Sequence, residues 1–132
     1  MRKRTLIALA TVAIAALALV AAQASLAQGG NDGRVEKRGN CTRATDWKLK
    51  AKPDDGRIEV EFEVDQNRVG KTWSVVLKDN GVRFFKGTRV TKAPSGSFEV
   101  ERRANNKPGA DRLTAKATNQ KSGEVCKAAV TL

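Results

Sequence analysis

The stretch Arg57-Ile58-Glu59-Val60-Glu61-Phe62-Glu63-Val64 alternates charged and apolar residues without a break. Successive side chains of a β-strand point to opposite faces, so the apolar residues would form one buried row while the charged residues face water. In a helix, at about 100° per residue, both kinds of side chain would be spread around the circumference. The stretch therefore predicts a β-strand with one buried face.

A second alternating run, residues 41–52, precedes this strand, and the turn sequence Pro53-Asp54-Asp55-Gly56 separates the two. Proline presets φ and glycine accepts a positive φ, so we predict a four-residue turn and an antiparallel pair of strands. Matching the apolar faces gives a register in which lysines face glutamates, which favours cross-strand ion pairs and a solvated glutamate row. The predicted cross-strand pairs are Trp47–Phe62, Leu49–Val60, Lys48–Glu61 and Lys50–Glu59.

Five further strand-like runs follow, separated by turn residues at the spacing expected of a sandwich or barrel. They cover residues 71–78, 82–90, 97–101, 112–118 and 124–132. Asn80-Gly81 predicts a tight hairpin turn. Residues 41–132 therefore predict a seven-stranded, antiparallel, all-β sandwich of the immunoglobulin/fibronectin-like type. Its predicted core is Trp47, Leu49, Ile58, Val60, Phe62, Val64, Trp73, Val75, Phe84, Phe98, Val100, Leu113 and Val130.

The N-terminus has the features of a secretory signal peptide at residues 1–24. A cationic head precedes an apolar run, and Ala22-Gln23-Ala24 has the small-x-small pattern of a cleavage site. A second such site would place cleavage after Ala27. The alternative is an uncleaved membrane anchor, because the apolar run slightly exceeds the usual signal core of about 7 to 15 residues. We expect residues 25–40, which are charged and rich in glycine, to be a flexible linker.

If the protein is exported, its two cysteines are expected to form a disulfide, because disulfides persist in oxidising compartments. Cys41 and Cys126 are the only cysteines, so we predict a disulfide between them. It would enclose 84 intervening residues, nearly the whole folded domain. The alternative, a redox-active or metal-binding thiol pair, is disfavoured because the sequence has no CxxC spacing.

Catalysis is disfavoured by composition, because the chain has no histidine and no tyrosine. This excludes Ser-His-Asp and Cys-His arrangements and the ordinary zinc sites. A glycosidase needs two carboxylates across a cleft, and the chain has no spare loop to build one. Asp54-Asp55-Gly56 serves a tight turn more readily than a calcium loop. We therefore expect no enzymatic activity, no cofactor, no metal and no small-molecule substrate.

The charge supports two hypotheses about function. Three of the 25 lysines and arginines lie in the predicted signal, which leaves 22 against 14 acidic residues, a net charge of +8. The first hypothesis is a secreted, non-catalytic module that contacts a protein in the extracellular space or cell envelope, its charge serving only solubility. The alternative is a module that binds a polyanion, either nucleic acid or an anionic envelope polymer. Membrane contact is expected only through an uncleaved signal. The candidate polyanion-binding residues are Arg83, Lys86, Arg89, Lys92, Arg102, Arg103 and Lys107.

Overall fold

The computed structural model describes residues 32–132, which form eight β-strands. The predicted signal peptide, and residues 25–31 of the predicted linker, lie outside the described residues. Within 32–132 there is no helix long and apolar enough to cross a membrane. The strands are β1 (Val35–Asn40), β2 (Asp46–Asp54), β3 (Arg57–Asp65), β4 (Thr72–Asp79), β5 (Val82–Val90), β6 (Ser97–Asn105), β7 (Arg112–Asn119) and β8 (Val125–Thr131).

The strands form two four-stranded antiparallel sheets that share one core. Sheet I has the order β1-β2-β3-β6 and sheet II the order β5-β4-β7-β8. Alternate side chains of both sheets point inward and are buried together, as the period-two pattern predicts. The predicted core is buried except for Trp47 and Phe84, which are half-buried. The all-β, antiparallel, sandwich-like fold is thus as the sequence predicts.

The predicted count of seven strands is wrong, because residues 35–40 of the predicted linker form β1. This strand pairs with β2 from Val35 opposite Ala51 to Asn40 opposite Asp46. Its pairing is made by the backbone, which explains why a segment with one large apolar residue can form a strand. Gly39 also lets the Trp47 ring lie against the backbone, since a Cβ there would be 2.6 Å from Cζ2 of that ring.

The predicted register between β2 and β3 is wrong by two residues. The turn contains only Asp55 and Gly56, with φ of 48° and 74°, the two positive values of a tight hairpin. Pro53 and Asp54 therefore extend β2 instead of lying in the turn. A slip of two residues keeps every side chain on its predicted face, so the alternation alone could not detect it. The observed pairs are Trp47–Val64, Lys48–Glu63, Leu49–Phe62, Lys50–Glu61 and Lys52–Glu59.

The disulfide prediction is confirmed. Cys41, in the connection between β1 and β2, is bonded to Cys126 on β8, with a Cα–Cα distance of 4.2 Å. The bond therefore links the β1 edge of sheet I to β8, an edge strand of sheet II. A structural disulfide indicates an oxidising, non-cytoplasmic environment.

Candidate functional site

The outer face of sheet II carries a concentration of uncompensated positive charge. In β7 and β8 the inward positions, such as Ala115 and Cys126, are buried, so the alternate positions face solvent. The only acidic residue in the four strands of this sheet is Asp79, and it is buried. We call the following six exposed cations the basic face: Lys78, Arg83, Lys86, Arg112, Lys116 and Lys127.

The strand register aligns three lysines of the basic face in one row across the sheet. Val76 lies opposite Lys86 on one side and opposite Lys116 on the other, and Lys116 lies opposite Lys127. Neighbouring strands are about 4.8 Å apart, and like charges directly opposite each other are destabilising. No carboxylate of the described residues forms a salt bridge with any cation of the basic face. The repulsion between Lys116 and Lys127 is therefore not relieved by any ion pair within residues 32–132.

Two shallow depressions lie on the two sides of this lysine pair. The first has a volume of about 530 Å³ and extends from the lysine pair towards Lys78 and Arg112. Val76, Thr114 and three alanines complete its lining. The second, of about 380 Å³, extends towards the disulfide and is lined by Thr42 and its neighbours. Lys116 and Lys127 line both depressions. We call the two depressions, together with the lysine pair between them, the basic groove.

The outer face of sheet I is electrically different, because its lysines face glutamates. Lys48 is 3.4 Å from Glu63, and Lys50 forms a still closer ion pair with Glu61. Partial burial acts to raise the pKa of Glu61, but its hydrogen bond to Lys50 and the charge of that lysine hold the pKa below its usual value. The hydrogen bond to Glu61 raises the pKa of Lys50. The opposite charges of β2 and β3 thus compensate each other locally.

Sheet I also holds a cluster of three carboxylates, from Glu61, Glu99 and Glu101, whose oxygens lie within 4.8 Å of one another. Glu99 lies directly opposite Glu63 on the neighbouring strand. Desolvation, followed by the charges of Glu61 and Glu63, raises the pKa of Glu99. The excess acidic charge of the domain is therefore on the sheet opposite the basic face.

Only two of the seven predicted polyanion-binding residues, Arg83 and Lys86, belong to the basic face. Arg89 and Arg102 instead lie over the ring of Phe85, at 5.2 and 4.5 Å from its centroid. Both guanidinium groups therefore contact the aromatic ring, and Phe85 also packs against the core.

The other three predicted residues are dispersed. Arg103 forms a 2.7 Å ion pair with Asp54 on sheet I. Lys107 is half-buried in the connection between β6 and β7, where its Nζ is 3.8 Å from a carboxylate oxygen of Asp79. Lys92 is exposed in the connection between β5 and β6. The structure therefore does not bring the seven residues together.

Four cations of the basic face are not among the predicted residues, namely Lys78, Arg112, Lys116 and Lys127. Each occupies a solvent-facing position of an alternating strand, so the local pattern predicts its exposure. What the pattern lacks is the strand order, which places β7 between β4 and β8 and so gathers these residues.

Comparison with protein-family models and with curated proteins gives no match for this chain.

Proposed function

We propose that this protein is an exported, non-catalytic module that binds an anionic polymer through the basic face of sheet II. The observation that carries the proposal is the direct opposition of Lys116 and Lys127 with no acidic residue beside them in the sheet. Such an arrangement opposes folding, whereas an anionic ligand placed over both ammonium groups would relieve the repulsion. The opposition of the two lysines would thus account both for the unfavourable electrostatics of the free domain and for the proposed binding.

The distribution of charge favours this proposal over solubility alone. Charge that only keeps a protein soluble works best when both signs are interspersed, as they are on sheet I. Sheet II instead presents a field of one sign, which attracts polyanions and steers them towards the surface. Lys86, Lys116 and Lys127, together with Lys78 and Arg112 along the groove, would make the principal contacts.

The proposed location is the extracellular space or the cell envelope. The Cys41–Cys126 disulfide supports an oxidising compartment. The cationic and apolar N-terminus supports export by a signal peptide removed after residue 24 or as late as 27. An anionic envelope or extracellular polymer would be accessible to the protein there.

We further propose that the sandwich is of the immunoglobulin/fibronectin-like type. With β1 set aside, the orders β2-β3-β6 and β5-β4-β7-β8 correspond to A-B-E and C′-C-F-G in the immunoglobulin nomenclature. Trp73 on β4 is then the buried tryptophan of strand C. The departures are the additional edge strand β1 and a disulfide that does not join strands B and F.

The proposal is tested by retention of the mature protein on immobilised heparin and on immobilised DNA over a salt gradient. Because binding releases counterions, the affinity should fall steeply with salt, and more steeply the more cations take part. The double variant Lys116→Gln/Lys127→Gln should elute at clearly lower salt than the wild type. The control Lys92→Gln/Lys121→Gln removes the same charge from two exposed connections and should change elution much less.

Equal effects of the two double variants, or no retention at about 0.05 M salt, would contradict the proposal. The absence of any retention would leave the other hypothesis, a module whose partner is a protein.

A further inference from the structure

We propose that the polymer is an acidic polysaccharide, bound as one extended chain that runs through the basic groove and over the Lys116–Lys127 pair. This inference rests on the proposed function and specifies its ligand class. Three features of the groove carry it: the position of its two depressions on either side of the lysine pair, the chemistry of their lining, and the partial burial of Thr114 among exposed cations.

The position of the two depressions on either side of the lysine pair indicates an extended ligand. The depressions have volumes of about 530 and 380 Å³, and both are lined by Lys116 and Lys127. A ligand that fills both must therefore cross the lysine pair, with an anionic group near the two ammonium groups. A small anion would contact the lysines but would leave both depressions empty. The groove thus fits a chain of several units.

The lining suits sugar units more than nucleobases. Besides its cations, the first depression presents the hydroxyl of Thr114 and the side chains of Val76 and Ala129. The second presents the amide of Asn40 and the hydroxyl of Thr42, whose Oγ1 accepts a hydrogen bond from the backbone N–H of Val125 at 3.0 Å. These groups can donate to and accept from sugar hydroxyls as well as anionic groups.

None of the residues that line the two depressions is aromatic. Proteins that bind single-stranded nucleic acid stack its bases on aromatic side chains, with a contribution of about 1 to 3 kcal/mol per base. The ring of Phe85 lies outside both depressions and is contacted by Arg89 and Arg102. A nucleic acid strand in this groove would be held through its phosphates alone.

The partial burial of Thr114 among the exposed cations distinguishes a single chain from broad, flat partners. A bilayer surface or a nucleic acid duplex can touch the tips of Lys86, Lys116 and Lys127 but is too broad to reach the floor between the strands. Only a narrow chain contacts Thr114, which is partly buried in the first depression. Substitution of Thr114 should therefore affect a polysaccharide and leave a flat partner unaffected.

The test is fluorescence anisotropy of the mature protein with fluorescein-labelled heparin oligosaccharides of increasing length. Oligothymidylate of matched charge and anionic phospholipid vesicles are compared at the same salt. We expect the affinity to rise with oligosaccharide length until both depressions are spanned, and to exceed that for oligothymidylate by at least about tenfold, the equivalent of one stacking contribution. The variant Lys116→Glu/Lys127→Glu should abolish this binding.

The variant Thr114→Phe fills the first depression without changing charge and is expected to weaken oligosaccharide binding by at least about fivefold. Its matched control is Thr88→Phe, which places the same ring on an exposed position of β5 outside both depressions and should have no effect. Phenylalanine is well tolerated on a strand surface, and unchanged circular dichroism of both variants confirms folding.

The outcomes separate the inference from the proposed function. Oligothymidylate or vesicle binding that equals or exceeds oligosaccharide binding and depends on Lys116 would overturn the polysaccharide inference and leave the polyanion function standing. Affinity independent of chain length, or equal effects of Thr114→Phe and Thr88→Phe, would also overturn the inference. No binding of any probe at low salt would contradict both the polysaccharide inference and the proposed polyanion-binding function.

Discussion

Lys116 on β7 lies directly opposite Lys127 on β8, whereas the equivalent solvent-facing pair on the other sheet is Lys50 opposite Glu61. The two pairs have the same backbone geometry and opposite electrostatics. In the first, two ammonium groups repel each other, and in the second, an ion pair adds to the stability of the sheet. The domain thus has one face whose charges stabilise the fold and one whose charges are available to a ligand.

The first prediction follows from this contrast: Lys116→Glu should stabilise the domain while weakening polyanion binding. A glutamate opposite Lys127 replaces a repulsive pair with an attractive one, for an expected gain of about 0.2 to 1 kcal/mol in the free energy of unfolding. Urea denaturation at low salt measures the gain, which should shrink at about 1 M salt, where the Debye length is about 3 Å. Lys116→Gln serves as the control and should gain less. A Lys116→Glu protein less stable than the Gln variant would contradict the prediction.

The second prediction concerns Glu99, which lies opposite Glu63 on sheet I. Desolvation and the charges of Glu61 and Glu63 raise the pKa of Glu99 above its usual 4.5. The folded state therefore binds the proton more tightly than the unfolded state, and stability falls as the pH rises from 4.5 through the folded-state pKa. Glu99→Gln should remove this loss and stabilise the domain at neutral pH by a few tenths of a kcal/mol, about the value of one cross-strand pair.

Urea denaturation of the wild type and of Glu99→Gln at several pH values tests this point. The difference between them should vanish at a pH below 4.5, where Glu99 is protonated in both the folded and unfolded states. A gain of the same size at acid and neutral pH would show that charge repulsion is not its cause.

The third prediction concerns the disulfide. Cys41 and Cys126 are 85 residues apart in sequence, so the bond constrains most of the unfolded domain. The double variant Cys41→Ser/Cys126→Ser should be less stable by about 2 to 5 kcal/mol. Chemical denaturation measures the loss, and treatment of the wild type with a reductant should produce a similar one. A loss below about 1 kcal/mol would mean that the disulfide does not stabilise the domain mainly by restricting the unfolded chain.

The sequence predicts those parts of the fold that depend on residues adjacent in the chain. The alternation of residues 57–64 sets the faces of β3, and Asn80-Gly81 forms the predicted hairpin turn with φ of 48° and 82°. The β2–β3 register could not be decided, because a turn centred on Asp55-Gly56 and one spanning residues 53–56 both preserve the alternation. β1 could not be predicted, because a strand held by backbone hydrogen bonds needs no apolar pattern.

The candidate site was the least predictable feature, because it depends on which strands are neighbours. Runs of basic residues in the sequence are a poor guide in a β protein, since consecutive side chains point to opposite faces. Arg102 and Arg103 show this directly: the first lies over Phe85 at the edge of the sandwich, and the second forms an ion pair with Asp54 on the outer face. Lys116 and Lys127 are distant in sequence, yet the sheet places them side by side.

The final prediction concerns two buried carboxyl groups, Asp79 and Asp111, each only 2% exposed. Burial, and then the charge of the nearby Asp111, raises the pKa of Asp79 above 3.8, and Lys107 only partly opposes this. Neither oxygen of Asp79 has a hydrogen-bond partner among the described residues. Because ionised carboxylates are acceptors only, a hydrogen bond between the two groups requires a proton on one of them. We therefore expect Asp79 to bind a proton more tightly in the folded than in the unfolded state.

Asp79→Asn should consequently increase stability at about pH 7, because the amide is neutral at every pH and can donate to Asp111. The stability of the wild type should fall as the pH rises from 3.8 through the folded-state pKa of Asp79, and the variant should lack this component. Urea denaturation at acid and neutral pH measures the difference, which should disappear below 3.8, where the wild-type group is protonated in both states.

Glu124→Gln is the matched control, because Glu124 is also buried but accepts hydrogen bonds from the backbone N–H groups of Arg43 and Thr45 and from the hydroxyl of Thr45, at 3.0, 3.1 and 2.7 Å. Its amide lacks the negative charge that strengthens these three hydrogen bonds, so we expect it to destabilise the domain by about 1 to 3 kcal/mol. If Asp79→Asn instead lowered stability at neutral pH as Glu124→Gln does, Asp79 would have to be ionised and stabilised by Lys107, and the shared proton would be ruled out.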